Sequence, residues 1–202
     1  MPQDVFTRYA ADYDRWFEEH PREYRQELAR VRRIAGNARS PAIEIGAGSG
    51  RFAAPLGYEY GLEPSPAMAR MAQGRGIQMV LGVAEHLPFR DGSFRSALMV
   101  TVVCFLESPS LAFREVRRIL APGGTFTVAF IERGGGIARQ YLQEKVKGRF
   151  LSHARFPSEQ EVQDLLHAAG FTPSRKECRG GFCVISAGKP SGFTGSPGCS
   201  DP

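Results

Sequence analysis

The sequence predicts an α/β protein built on one doubly wound, seven-stranded sheet, mainly parallel, with an antiparallel hairpin at its C-terminal edge. Three observations carry this. Apolar runs alternate with amphipathic stretches from position 42 to position 131, the pattern of parallel strands joined by helical crossovers. The run Ala97–Val103 is almost continuously apolar and partly β-branched, as strands covered on both faces are. Two strand-like segments, Phe171–Cys178 and Gly181–Ala187, stand on either side of a Gly-Gly turn, which reads as a hairpin.

Each element has its own signal. Phe6, Tyr9, Tyr13, Trp16 and Phe17 recur at helical offsets between Asp4 and His20. This stripe either packs on the domain or closes over a pocket, and the two roles are compatible. Pro21 opens a second helix and Gly36 or Asn37 ends it. Ala42–Ile45 is the first strand, and Phe52–Leu56 a short helical piece. Tyr58–Glu63 is the second strand. Ser65 then caps a helix that has Pro66 in its first turn. Ile77–Gly82 is the third strand, Ala97–Val103 the fourth, Ser110–Leu120 an amphipathic helix, and Thr125–Ile131 the fifth strand. Pro122-Gly123-Gly124 is expected to be a turn. Residues 132–157 break the alternation, with a helix over Ile137–Lys147, and read as a segment covering a site. Ser158 and Glu161 form a capping box for the next helix. Residues 1–188 are thus expected to form a single domain, with a helical arm over 1–35, and residues 189–202 a disordered tail.

Lys and Arg number 26 against 21 Asp and Glu. That small excess, with Arg22, Arg25, Arg30, Arg32 and Arg33 and again Arg114, Arg117 and Arg118 at helical spacing, reads as solvated helix faces, so a nucleic-acid partner is not expected. No apolar stretch is long enough to span a bilayer. The N-terminus lacks the pattern of a secretory signal. A cytoplasmic location is expected, and with it four cysteines present as thiols, Cys178 and Cys183 included. They show no metal-ligand spacing, so no metal is expected.

The chemistry starts at Glu44-Ile45-Gly46-Ala47-Gly48-Ser49-Gly50. Glycines following a strand let the backbone approach a ligand. A dinucleotide fingerprint would need glycine at position 51, where Arg51 stands. The phosphate-loop ending Gly-Lys-Ser/Thr is also missing. The loop is either a structural turn or a cradle for a smaller ligand. Glu63 ends the second strand and Glu85 follows the third. A carboxylate at such a strand end can accept both hydroxyls of a ribose. Acids at successive strand ends suit a neutral or cationic nucleoside better than a phosphate. Glu44 is expected to order the glycine loop.

These residues carry a resemblance. Ala42–Gly50, Gly61–Ser65, Ala84–Phe89 and Arg118–Gly124 resemble, in order, the motifs of class I S-adenosylmethionine-dependent methyltransferases of the small-molecule, type 11 kind. The resemblance spans about Phe6 to Ala187. It implies a Rossmann-like sheet with a reversed last strand and S-adenosyl-L-methionine as cofactor. It implies cofactor contacts from Glu44, Gly46, Ala47, Gly48, Glu63, Pro64, Ala84, Glu85 and Thr101, with Val102 beside the substrate mouth. The sequence departs from the family pattern at Val83, a position often acidic, and at Cys104-Phe105, where paired histidines are common. No catalytic base is therefore specified. Candidates to reach the methyl acceptor are His153, Tyr9 and Tyr13, while His86 reads as a surface or packing residue and Arg155 could hold an anionic group. A small-molecule acceptor is expected. The alternatives are an RNA or protein acceptor, or a non-catalytic binder of the cofactor.

Overall fold

The computed structural model describes residues 2–143, 149–151 and 154–191. Its centre is a seven-stranded sheet of β1 (Ala42–Ile45), β2 (Tyr60–Glu63), β3 (Gln78–Leu81), β4 (Phe94–Val100), β5 (Leu120–Ile131), β6 (Thr172–Arg179) and β7 (Phe182–Gly188), in the order β3-β2-β1-β4-β5-β7-β6. The pairs from β3 through to β5 are parallel, and β7 is antiparallel to both β5 and β6. The reversed strand is therefore the last in sequence, and it lies one place in from the edge.

The helices are α1 (Pro2–Arg8), α2 (Ala10–Glu19), α3 (Pro21–Ala35), α4 (Ala53–Leu56), α5 (Pro66–Gly74), α6 (Pro109–Ile119), α7 (Gly136–Gln143) and α8 (Glu159–Ala168). The sheet is apolar on both faces because alternate residues point to opposite sides. Phe126, Val128 and Phe130 of β5 join one core with Phe113 and Val116 of α6 and Val162 and Leu166 of α8. Ala129 and Ile131 of the same strand join the other, with Trp16, Phe17, Val31 and Tyr141 from α2, α3 and α7.

The structure revises several boundaries. The aromatic stripe is two helices rather than one, divided at Tyr9, whose ψ of 29° leaves the helical region. The apolar run beyond Val100 leaves the sheet, and Val103–Phe105 form a 3-10 turn. Buried turns and strands read alike as apolar runs. Pro122-Gly123-Gly124 lies inside β5, within the register shift where its pairing with β4 jumps from Leu120 to Thr125. Cys178 and Cys183 face each other in the β6–β7 hairpin, their Cα atoms 4.1 Å apart, and form a disulfide where two thiols are expected. The sequence placed them near one another, but only the hairpin register puts them directly opposite. Lys189 still belongs to the sheet region: its N–H donates to Gly124 O and its ammonium to Arg117 O and Leu120 O. Residues 192–202 of the expected tail lie outside the described residues. No described helix is long and apolar enough to cross a membrane.

Candidate active site

A cavity of about 390 Å³ opens at the carboxyl ends of β1, β2 and β4, where the strand order turns back on either side of β1. Gly46 and Gly48 form one wall, Glu63 and Pro64 a second, Ala84 and Glu85 a third. Thr101 and Val102 close it from β4, and Phe6 and Tyr13 from the arm. Seven residues of the expected cofactor set thus share one cavity. Glu44 and Ala47 stand beneath it rather than in its lining, and Tyr9 stands aside with its ring under Arg149, 4.1 Å from the guanidinium. His153 lies outside the described residues.

The glycine loop is held by hydrogen bonds to β2. The N–H groups of Gly46 and Ala47 both donate to Leu62 O, at 2.7 and 3.0 Å. Gly46 and Gly48 have φ of 69° and 54°, in the left-handed region where a side chain is strained. A Cβ on Gly46 would also collide with Val102, whereas a Cβ on Gly48 would meet no protein atom within 4 Å. The space above Gly48 is open and belongs to the cavity. Glu63 braces the loop: Oε2 accepts from Gly48 N at 3.0 Å and Oε1 from Ser65 N at 2.9 Å. Burial raises its pKa, and those two N–H groups pull against the rise.

Glu44 behaves differently from expectation. It is 2 % exposed, and its hydrogen bond comes from the Ala53 backbone rather than from the glycine loop. Its Oε2 has no partner. Desolvation drives its pKa well above the usual carboxylate range, and the Glu63 charge adds to the rise. Such an orphaned buried acceptor is costly, and a donor arriving with a ligand would satisfy it. Glu85 lines the cavity, but its Oε1 is occupied by the N–H groups of Glu107 and Ser108 ahead of α6. Its carboxylate therefore ties two loops together.

The arm is fastened to this site by contacts the sequence did not reveal. Asp14 accepts from Ser49 Oγ at 2.6 Å, from Arg51 Nε at 2.8 Å and Nη2 at 2.6 Å, and from Arg75 Nη2 at 2.8 Å. Burial pushes the Asp14 carboxyl up, but the bonds from Arg51, Ser49 and Arg75 outweigh it and hold it down at about 2. Thr7 Oγ1 donates to Ser65 Oγ, 3.0 Å away. The Phe6 ring meets Tyr13, Phe105 and Phe150 at 5.2–5.6 Å between centroids. Burial, aided by Glu27 and Glu63, raises the Tyr13 phenol far beyond neutral pH, and a hydrogen bond with Thr101 offsets only part of this. Tyr13 therefore brings to the cavity a phenol held above its usual range, beside Thr101. Thr101 is the one described non-glycine residue with positive φ, 55°, a strained conformation of the kind that collects at functional sites. The wall formed by Phe105, Leu106 and Leu111 was also missed. Its signal was the apolar run itself, which continues past the strand through Cys104, Phe105 and Leu106.

A glycine cradle, a strand-end carboxylate and an aromatic cover define a binding site for a nucleoside-type cofactor. Comparison with known proteins gives that class its family. A family model described as a methyltransferase domain matches residues 43–128. A crystal structure from Thermotoga maritima, described as an S-adenosylmethionine-dependent methyltransferase and possible histamine N-methyltransferase, superposes with a TM-score of 0.84 at 36 % identity, covering 94 % of this chain and 100 % of that one. A Methanocaldococcus jannaschii protein of uncharacterised function is 36 % identical over 168 residues, 83 % of this chain and 81 % of its own. The malonyl-[acyl-carrier protein] O-methyltransferase of Geobacter sulfurreducens is 31 % identical over 188 residues, 84 % of this chain and 69 % of its own. The chain belongs to the S-adenosylmethionine-dependent methyltransferases, as its ordered motifs implied, and its cofactor is S-adenosyl-L-methionine.

Proposed function

We propose that the protein transfers the methyl group of S-adenosyl-L-methionine to a small-molecule acceptor inside the cavity of residues 1–188. The observation that carries this reading is the enclosure of the site. The arm and Phe150 roof a space of about 390 Å³, near the lower end for ligand pockets. Only a compact group can enter a space of that size beside a bound cofactor. The curated Geobacter relative is named for a carrier-bound malonyl group, so its acceptor too is a small moiety.

The cofactor supplies an activated methyl group on a sulfonium sulfur. The chain's own residues bind and orient. Glu63 has lone pairs left over for the ribose hydroxyls after bonding Gly48 and Ser65. Gly48 gives the backbone its close approach, and Glu44 Oε2, buried outside the lining, meets the methionine portion through water. Ala84 and Glu85 flank the base. Phe6, Tyr13 and Phe105 exclude water on the acceptor side, where holding two reactants together supplies much of the rate. Calorimetry tests the cofactor half: the protein binds S-adenosylhomocysteine, and Glu63→Ala weakens this by about ten- to a hundredfold, the worth of a charge-assisted hydrogen bond. Unchanged affinity in Glu63→Ala would remove Glu63 from the site.

A further inference from the structure

We propose, building on that reading, that the acceptor is a small molecule presenting an uncharged nitrogen, an amine or a heteroaromatic ring nitrogen, and not a carboxylate, phosphate or other anion. Among the described residues lining the cavity are three carboxylates, Glu63, Glu85 and Glu107, and no lysine or arginine. Its one histidine, His86, is exposed. Of the described arginines nearby, Arg51 and Arg75 are turned onto Asp14 and Arg149 onto Asp12 and the Tyr9 ring, while Arg155, exposed and held by its N–H to Cys104 O, is not part of the lining. Among the described lining residues an anionic acceptor meets no partner cation, and it would lose its hydration to an aromatic wall.

Glu63 and Glu85 are accounted for by the loops they brace, so the rings on the acceptor side carry the inference. Phe6, Tyr13 and Phe105 line the cavity, and Phe150 packs against Phe6 and Tyr13 at 5.2 and 5.1 Å. Aromatic faces favour a cation over an anion. In transfer to an uncharged nitrogen, the nitrogen lone pair forms the new bond to the methyl carbon. The bond from that carbon to sulfur breaks, and its electron pair stays on sulfur. The positive charge passes from sulfur to nitrogen without being lost, and an N–H proton, where there is one, leaves afterwards to water. A site built for a cation stabilises that charge throughout, whereas transfer to an anion would extinguish it. A nitrogen that already carries its lone pair also needs no base, in keeping with a Tyr13 phenol held neutral.

The test uses the full chain and separates this proposal from the one beneath it. Calorimetry with S-adenosylhomocysteine comes first, and failure to bind would overturn the cofactor reading itself. On the protein saturated with S-adenosylhomocysteine, benzyltrimethylammonium, which mimics a methylated cationic product, should bind at least tenfold more tightly than benzoate of similar size. Tighter binding of benzoate, or equal binding, overturns the proposal. With S-adenosylmethionine, benzylamine and aniline should be methylated and benzoate should not. The pH profile should follow the acceptor, its limb moving to lower pH for the less basic aniline. A limb at one pH for both amines would indicate an enzyme base and overturn the mechanism, and transfer to benzoate alone would overturn the substrate class. Phe6→Leu keeps the apolar volume and loses the ring. It should lower kcat for benzylamine by about three- to tenfold, a larger effect than on S-adenosylhomocysteine affinity. An unchanged kcat would take Phe6 out of the argument. Phe105→Leu repeats that test from the other side of the cavity if the Phe6 variant folds poorly.

Discussion

Gly46 and Gly48 have the same left-handed backbone, yet substitution should affect them differently. Gly46→Ala meets Val102 as well as backbone strain, so it should destabilise the fold by about 1–3 kcal/mol, read as a lower denaturant midpoint. Gly48→Ala meets only strain and the ligand's space. It should fold with a smaller loss but bind S-adenosylhomocysteine at least tenfold more weakly. Equal affinity would show that the cofactor does not pass over Gly48. Glu44 works in the opposite direction. Its folded pKa lies above the unfolded value because burial penalises the charge. Its stabilising contribution is therefore full below the unfolded pKa of about 4.5 and is lost as pH rises through the folded value. Glu44→Gln should flatten that decline and raise the midpoint at neutral pH, while weakening cofactor binding. A variant less stable than wild type at neutral pH would contradict this.

At the scale of elements, the arm is the part whose behaviour its own sequence conceals. The stripe in α1 and α2 predicts burial but not the partner. The partner is the cofactor loop itself, through Asp14 with Ser49, Arg51 and Arg75. Ser49 and Arg51 flank Gly50, so α2 and the glycine cradle move together or part together. A second set of contacts joins the arm to α7, where Tyr141 donates to Glu27 Oε1 at 2.9 Å and Trp16 packs edge-on to the Tyr141 ring. Asp14→Asn should take from Arg75 its one ion pair among the described residues and leave Arg51 with Glu18 alone. The expected cost is on the order of 2 kcal/mol, with faster release of S-adenosylhomocysteine in stopped-flow measurements. A variant that loses stability with no change in release rate would separate the latch from the site. The Cys178–Cys183 bridge makes a related point: the sequence lists two cysteines beside a turn, and the β6–β7 register alone makes them opposite neighbours.

For the whole molecule, stability should respond to pH and to ligand in linked ways. Asp14 has a folded pKa of about 2, below the usual 3.8. Its contribution is therefore present above pH 3.8 and lost as pH falls toward 2. Wild type should lose stability more steeply than Asp14→Asn across that acid window, and parallel curves would refute the assignment. S-adenosylhomocysteine at a hundred times its dissociation constant should add about 2.7 kcal/mol, a rise of roughly 5–10 °C in Tm for a domain this size. The rise should shrink in Glu63→Ala, and a wild-type Tm that the ligand does not move would count against binding to the native state.

The sequence by itself determined the strand–helix alternation, the glycine loop and the acids at successive strand ends. These are local signals: a periodicity, a backbone requirement and a spacing, each complete within a few residues. It also determined the family, because four motifs in order constrain one another. What only the tertiary structure decided depends on residues far apart in the chain. Position 14 meets positions 49, 51 and 75, Glu85 lines the cavity while tying itself to the start of α6, and Phe6, Phe105 and Phe150 become one wall. No local pattern encodes such meetings. They follow from the packing of the two cores on a twisted sheet, and they set which charges face the cavity and which are turned away from it.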